Sequence, residues 1–388
     1  MDYQMNPGYN EQRPQPGRRS SKKRKRSRPS IGQMIGRIIA VLLVTILGVV
    51  LTLYLSLNMI CNGPSQSARE LFVTTVLESG NLKFLASMFL STDEINEIVN
   101  KTSMGNIDTN IDTGLISIDD PNSETSENTS TENVYNDNFD ENGVEIIEIS
   151  GRTFYAKLMI IKDPSKVKVA TTYPWGEYGE ELSELVTSNG AIGGVNGGLY
   201  VSSSNKGGSP LGVVVSEGEI QYNSPEGWAG LYLIGFDESN ILQIIDIEGM
   251  SSGEVEALVA EKKIRDAVAF QDETSDANNH FVPLVINGVA RELSGQGSGA
   301  NPRTAIGQRA DGAVMLLVTD GRGSSGHLGA TAADLINIML EYGAVNAANL
   351  DGGSSSCMYY GNEYEMTSVT LYYANSSWRL PTAFVVEG

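Results

Sequence analysis

The nine residues NLDGGSSSC (349–357) close an apolar run, AVNAANL (344–350). An acid, two glycines and three hydroxyls stand where a strand would end. An Asp-Gly turn is a common hairpin device, and Gly and Ser are ordinary loop residues, so a plain tight turn explains the stretch alone. What gives it weight is recurrence. AIGGVNGGLY (191–200), NPRTAIGQR (301–309) and AVMLLVTDGRG (313–323) share the design, an apolar strand beside Gly plus a polar or charged residue. Strand ends that release into Gly-rich loops are where sheet-based domains place their sites. Glycine admits a ligand close to the backbone, and successive N–H groups can form an anion-binding nest.

The surrounding text sets the fold class. VEIIEISGRTFYAKLMIIKD (144–163) alternates and is rich in β-branched residues, which predicts two strands, and KVKVATT (166–172) continues the pattern. LGVVVSEGEIQY (211–222) reads as strand, Ser-Glu-Gly turn and strand; LYLIGFDESNILQIID (231–246) repeats the device. TAADLINIMLEYG (331–343) predicts a helix from about Thr331, with Leu335, Ile338, Met339 and Tyr342 on one face and Gly343 as its stop. VEALVAEKKI (255–264) predicts another. Residues 143–388 therefore read as one α/β or α+β domain, a mixed β-sheet core with flanking helices. No fixed-period repeat is present.

The first 142 residues differ in composition. Residues 1–37 carry ten Lys and Arg against two acids, while the remaining chain carries 17 basic and 45 acidic residues. A domain that acidic is a poor general binder of nucleic acid. The uncharged run from Ile38 to Ile60 has 23 residues, enough to cross a bilayer, and is longer than a cleavable signal core. With its cationic flank held inside, the reading is a single-pass anchor with a cytoplasmic tail (1–37) and everything beyond Asn62 extracellular, at the cell membrane. SARELFVTTVLESGNLKFLASMFLSTDEINEIVN (67–100) has apolar residues at helical spacing and a helix start at Ser91, predicting a helical stalk over 61–104. DDPNSETSENTSTENVYNDNFDEN (119–142) is acidic and unable to bury a core, so 105–142 reads as a disordered linker. Two cysteines, Cys61 and Cys357, do not make a disulfide scaffold, and the fold must rest on an apolar core.

Several chemistries are poorly provided for. His280 and His327 are the only histidines, too few for a histidine metal cluster. CxxC, HExxH and GxSxG are absent, and GQGSGAN (295–301) lacks the Gly-Lys-Ser/Thr end of a phosphate loop. His327, in a loop near Asp320, reads first as a solvated histidine.

Taken in order, VNGGLY, NPRTAIG, LLVTDGR and the helix leading into GAVNAANLDGGSSS resemble the phosphodiester glycosidase family over roughly residues 144–388. That family includes the enzyme that uncovers mannose 6-phosphate by removing N-acetylglucosamine from a phosphodiester. The anchor and stalk resemble its bacterial membrane-bound members, often described as exopolysaccharide-related. Leu199-Tyr200, where the family commonly has an aromatic pair, and Cys357, where small or hydroxyl residues are frequent, depart from the pattern. The absence of animal-type disulfides removes any warrant for copying the animal enzyme's substrate.

The resemblance implies an extracytoplasmic hydrolase acting on a sugar-1-phosphodiester of a cell-surface or exopolysaccharide glycan. A phosphate monoester is a weakly basic leaving group, so the reaction needs a cation or nest for the phosphate and a carboxylate near the anomeric carbon. Arg303 fits the first role with Arg322 as a second clamp. Asp351 and Asp320 fit the second, as base for water or as nucleophile. Asn196, Gly197, Gly198, Thr304, Gly352, Gly353, Ser354 and Ser355 are the expected contacts to sugar hydroxyls or phosphate oxygens. No cofactor or metal is expected; the alternative is a divalent cation held by the two Asp with the phosphate. Expected partners are the glycan substrate, the membrane through one helix, and proteins of polysaccharide synthesis, with no nucleic acid. The rival function is a non-catalytic module that holds an anionic wall or capsular polysaccharide. It would keep the Arg and Gly groups and would not need Asp351.

Overall fold

The computed structural model describes residues 30–78, 82–118, 135, 137–272, 280–323, 326–368 and 376–388. Most of the expected basic tail, and residues 119–134 and 136 of the expected linker, lie outside them. The chain divides into two compact units, Met1–Ser56 and Leu57–Gly388. Helix α1, Ile31–Asn62, has 32 residues and makes up nearly all that is described of the first unit. Among the described residues it is the one helix long and apolar enough to cross a membrane, and its aliphatic side chains are exposed along its length.

The second unit begins with a small helical group. Helices α2 (Gln66–Leu77), α3 (Phe84–Ser87) and α4 (Thr92–Lys101) bury Val73, Val76, Ala86, Leu90 and Ile98 around Cys61. The start signal at Ser91 is a true capping box, in which the Ser91 hydroxyl accepts from the Glu94 amide and the Glu94 carboxylate accepts from the Ser91 amide.

Among the described residues three large antiparallel sheets follow, beside one two-stranded pair. The largest has seven strands in the order Val289–Ala290, Pro283–Ile286, Ala344–Asn349, Thr304–Arg309, Val314–Thr319, Tyr155–Ile161, Val144–Ser150. A five-stranded sheet runs Glu363–Thr367, Cys357–Tyr360, Ala191–Asn196, Thr382–Glu387, Val167–Thr171. The other five-stranded sheet runs Glu219–Ser224, Gly212–Ser216, Ile264–Gln271, Leu231–Asp237, Leu242–Asp246. Sheets and helices share the domain as expected, and the antiparallel pairing of the described strands selects α+β.

The period of two explains the packing. Met159, Ile161, Val314, Leu316 and Val318 face a core shared by all three sheets, with Val195, Phe384, Ile234, Phe236 and Val268. Their neighbours Leu158, Ile160, Met315 and Leu317 face the opposite way, onto Leu335, Ile336, Ile338 and Met339 of helix α7 (Ala332–Glu341). Helix α5 (Leu182–Ser188) covers the first five-stranded sheet through Leu182, Leu185 and Val186, and helix α6 (Ser252–Lys262) covers the second through Val255 and Val259. Each sheet thus has one face on the common core and one under a helix. That is why its central strands are apolar without alternation, each buried aliphatic side chain contributing about 1.5–3 kcal/mol.

Two sequence expectations change here. Residues 105–118 do not form a free linker. The strand Ser103–Met104 pairs with Leu293–Ser294, the Gly105 amide donates to the Glu292 carbonyl, Ile107 and Ile111 pack on the shared core, and the Ser117 amide donates to the Ala310 carbonyl. Four isoleucines, at 107, 111, 116 and 118, supply the apolar surface that the averaged composition of 105–142 concealed. The end of the segment also docks. The Arg309 guanidinium, 1% exposed, takes Asp137 at 2.6 and 2.9 Å and Asp311 at 2.8 and 3.1 Å, and lies 4.0 Å from the centre of the Tyr135 ring. The helices of 61–104, read as a stalk, are part of the same compact unit as the sheets.

Breaking one partner of a buried ion pair leaves a charge uncompensated. Asp137→Ala should lower unfolding free energy by about 3 kcal/mol, the low end for such pairs, since Asp311 still holds the guanidinium. Denaturant titration checks this, and a chain trimmed to Val144 should show at least the same loss.

Candidate active site

The four Gly-rich loops meet because of strand direction. Thr304–Arg309 is antiparallel to both Val314–Thr319 and Ala344–Asn349, so its start lies beside their ends. NPR before it, TDGR after one neighbour and LDGG after the other are therefore placed together. The backbone stitches them. The Arg303 amide donates to Thr319 Oγ1 (3.0 Å), the Leu350 amide to the Thr304 carbonyl (2.8 Å), and the Gly353 amide to the Pro302 carbonyl (2.8 Å). The end of Ala191–Asn196 arrives alongside, because Val195 is opposite Met358.

Asn196 then locks the two sheets to each other. It is wholly buried, and its Oδ1 accepts from Thr304 Oγ1 (2.7 Å) and the Cys357 amide (3.2 Å), while its Nδ2 donates to the Asp351 carbonyl (2.6 Å). Asn196 and Thr304, expected to touch substrate, are turned into the protein. So are Gly197 and Gly198, whose amides donate to the Thr382 carbonyl and Thr382 Oγ1. A side chain at Gly198 would come within 2.5 Å of the Ala269 carbonyl oxygen, so these glycines allow close packing between sheets and form no nest.

A polar pocket opens at the meeting point, lined by Glu78, Phe270, His280, Asn301, Arg303, Arg322, Asn349, Asp351, Gly352 and Gly353. Of the expected residues, Asp351, Arg303, Arg322, Gly352 and Gly353 line it. Asp351 touches solvent through the mouth yet is hemmed in by protein. This desolvation raises its carboxyl to about 6, against the opposing hydrogen bonds of the Ser355 hydroxyl and the Gly352 amide and the charge of Arg322. Ser355 also pairs with the Tyr200 hydroxyl at 3.0 Å, behind the acid. Burial pushes the Cys357 thiol up to about 12, so it packs as a small neutral side chain.

Arg322 occupies the left-handed region at φ 54°. Its Nη1 donates to Ser354 Oγ (2.9 Å), and its Nε points to Asn301 Oδ1 at 3.4 Å. Gly353 makes room: at φ 65°, a Cβ there would lie 2.6 Å from Arg322 Nη2. Arg322 is exposed at the surface, yet the protein crowded about its side chain and, after that, the charge of Arg303 disfavour its ionised form, while Asp351 and Glu78 support it.

Arg303 and Asp320 do not fill the places expected of them. Arg303 is committed inside the protein: its Nη2 donates to Glu78 (2.5 Å), the Gly299 carbonyl (2.9 Å) and Ser298 Oγ (3.3 Å), and its guanidinium lies 4.8 Å from the centre of the Phe281 ring. Asp320 is 5% exposed and does not line the pocket. Its Oδ1 accepts from the Tyr155 amide (2.7 Å), and its Oδ2 pairs with His327 Nδ1 (2.6 Å). Among the described residues no cluster of three or more His, Cys, Asp or Glu has metal-binding geometry.

Five lining residues were not foreseen: Glu78, Phe270, His280, Asn301 and Asn349. Phe270 and His280 rings are 5.5 Å apart and form one wall. Asn301 and Asn349 were legible, because each stands two residues before a chosen one (Arg303, Asp351) and alternation puts i and i+2 on one side of an extended chain. Asn349 is 1% exposed, and its Nδ2 donates to the Phe281 carbonyl (3.0 Å). Its Oδ1 has no hydrogen-bond partner among the described residues. A buried acceptor left so costs about 1–3 kcal/mol, which a hydroxyl or amide of a bound ligand would recover.

A profile of the phosphodiester glycosidase family matches residues 189–387. Among curated proteins, the SPbeta prophage-derived uncharacterized protein YomE of Bacillus subtilis is 48% identical over 56 residues, which are 14% of this chain and 8% of that protein. The chain thus spans under a tenth of the length of that relative. Among solved structures, the zebrafish N-acetylglucosamine-1-phosphodiester alpha-N-acetylglucosaminidase catalytic domain, auto-inhibited by its pro-peptide, is similar with TM-score 0.45 and 18% identity. The likeness covers 63% of this chain and 82% of that one. A hypothetical protein from Synechocystis has TM-score 0.38 and 17% identity, over 63% of this chain and 61% of its own.

Asp351 has a folded-state value raised from 3.8 to about 6. The native state then holds its proton more tightly than the unfolded chain does. This contribution to stability is complete below about pH 4 and lost as pH rises through 6. Asp351→Asn should accordingly stabilise the protein at pH 8 and give no gain at pH 4, as read from Tm at both values.

Proposed function

Because the chain belongs to the phosphodiester glycosidase family, we propose that it hydrolyses a sugar-1-phosphodiester, with the anomeric carbon against Asp351 and the phosphate on Arg322. What carries the reading is one juxtaposition: a carboxylate of raised pKa and an arginine on the same small pocket, with Gly352 and Gly353 between them. Neither glycine obstructs a ligand with a side chain. Asn349 Oδ1 is the open acceptor for a sugar hydroxyl or amide.

The chemistry follows from these groups. Water, or Asp351 itself, attacks the anomeric carbon; the C1–O bond breaks and its electron pair leaves with the phosphate monoester. Arg322 neutralises the charge that grows on the leaving oxygens. Asp351 must be ionised to take the proton or to act as nucleophile, so turnover should fall as pH drops below about 6. Ser355, Gly352 and Arg322 favour the anion, while burial keeps its basicity above that of an ordinary carboxylate.

The reading extends to location. Ile38–Ile60 is a single-pass anchor, the ten basic residues before it stay cytoplasmic, and the chain beyond Asn62 works outside the membrane on a cell-surface or exopolysaccharide glycan. A module that only holds an anionic polymer is the second reading, favoured by the two arginines, Arg303 and Arg322, on the pocket lining, and it gives Asp351 no task.

Incubation in ¹⁸O-water with a panel of sugar-1-phosphodiesters should place the label in the sugar. Label in the phosphate monoester would mean P–O cleavage and count against this account. Asp351→Asn should lower turnover by roughly 10²–10⁴ with substrate affinity kept. Arg322→Lys should cost roughly 10²–10³ in kcat/KM, because a point charge replaces the planar fork. A wild type that binds a panel member without turnover, and an Asp351→Asn that binds equally, would favour the binding module.

A further inference from the structure

Helix α2 ends inside the pocket. Glu78, which caps it, has a side chain 6% exposed. Its Oε1 accepts from the Gly299 amide (2.5 Å), and its Oε2 accepts from Asn301 Nδ2 (2.8 Å) and Arg303 Nη2 (2.5 Å). One turn back, Thr75 Oγ1 accepts from the Ala300 amide (3.0 Å). Gly299 packs so tightly that a Cβ would come within 2.6 Å of the Thr74–Thr75 backbone. The loop 298–303 is thus laid against the helix end, and Glu78 and Arg303 share the pocket wall with Arg322 and Asp351.

Stability does not account for this contact. Withdrawing two opposite charges from water costs several kcal/mol, and well-packed apolar residues serve a core equally well or better. What the contact does set is the orientation of Asn301. Its Nδ2 is given to Glu78, so its Oδ1 is the end presented to Arg322 Nε. Arg322, in its left-handed backbone conformation, is otherwise tied by its side chain only to Ser354 Oγ among the hydrogen bonds described here. A continuous relay results: Glu78, Asn301, Arg322, Ser354.

We propose that Glu78 is a positioning residue of the site, acting through Asn301 to aim Arg322, so that the helical segment that follows α1 in sequence is a working part of the pocket and not a spacer. The proposal rests on the reading of Arg322 as the phosphate cation. Arg303 holds the loop through Glu78 and leaves the ligand to Arg322.

The test uses the full chain in detergent. Glu78→Gln keeps the shape, removes the acid and sets an N–H₂ against a hydrogen-bond donor, because both carboxylate oxygens accept. It should lower kcat/KM by roughly 10²-fold, as misplacement of an orienting group does, and weaken binding of glucose 1-phosphate in parallel. Adding Asn301→Asp returns an acid beside Arg322 and should recover at least a tenth of the lost activity, which a merely structural contact would not do. Amide exchange in the ligand-free chain is a readout independent of activity. Glu78→Gln should speed exchange both at 298–303 and at Arg322 and Gly323, whose amides donate to the Leu328 and His327 carbonyls. Faster exchange at 298–303 alone would show that the contact does not reach Arg322, and would overturn the proposal even if no substrate is ever cleaved. Higher activity or tighter binding in Glu78→Gln would mean that the carboxylate stands in the ligand's place, and would overturn it as well. A wild type inactive on every phosphodiester, with exchange behaving as expected, would reject the glycosidase reading and leave the relay standing.

Discussion

One buried amide holds the site together. Asn196 lies between the seven-stranded sheet and a five-stranded one, with no exposed surface, and each end of its side chain is engaged. It takes Thr304 from one sheet and the Cys357 amide from the other, and it gives a hydrogen to the carbonyl of Asp351. A buried amide left half-satisfied would be costly, so the three partners must arrive together. Their arrival fixes the turn that presents the Asp351 carboxyl. Gly353 then leaves the space in which Arg322 lies against that turn. Acid and cation are neighbours because of an interior residue that touches no ligand.

The division of labour around the pocket follows from desolvation. Two arginines stand on one wall; desolvation first, and then their mutual repulsion, disfavours the charge on Arg322. Glu78 relieves this by pairing with Arg303, and Asp351 supports Arg322 from the other side. Arg303 is thereby a fixed part of the scaffold, stacked on Phe281, while Arg322 faces the opening with a guanidinium held at its edge by Ser354. Glu78, at the end of α2, supplies the balancing charge, so the helical group contributes to the pocket wall.

Much of the fold was legible. MLLV (315–318) and VVV (213–215) are apolar without alternation because each strand is buried on both faces. Thr331 and Gly343 bracket α7, and Glu217-Gly218 make the predicted turn with both residues at positive φ. Helix α5 was not foreseen; seven residues are too few to establish a period. Of the residues singled out by the rule that strand ends run into glycine, Asp351, Arg303, Arg322, Gly352 and Gly353 line the pocket. The same rule misplaced Asn196, Gly197, Gly198 and Thr304, because it does not say which side of the chain faces out. Asp320 has the same local sequence context as Asp351, and only the packing of Tyr155 and His327 against it distinguishes the two. Glu78 had no local signal at all: it reaches Arg303 across 225 positions of sequence, and a charged residue at a helix end reads as surface.

In the proposed function, Asp351 and Arg322 grip the two halves of one glycosyl phosphodiester. A crystal structure of the Asp351→Asn protein soaked with an intact sugar-1-phosphodiester measures it directly. The account predicts the anomeric carbon in contact with residue 351 and phosphate oxygens on the Arg322 guanidinium, with the Glu78–Arg303 pair unbroken. Phosphate bound to Arg303 with Glu78 displaced, or a ligand seated away from residue 351, would contradict it.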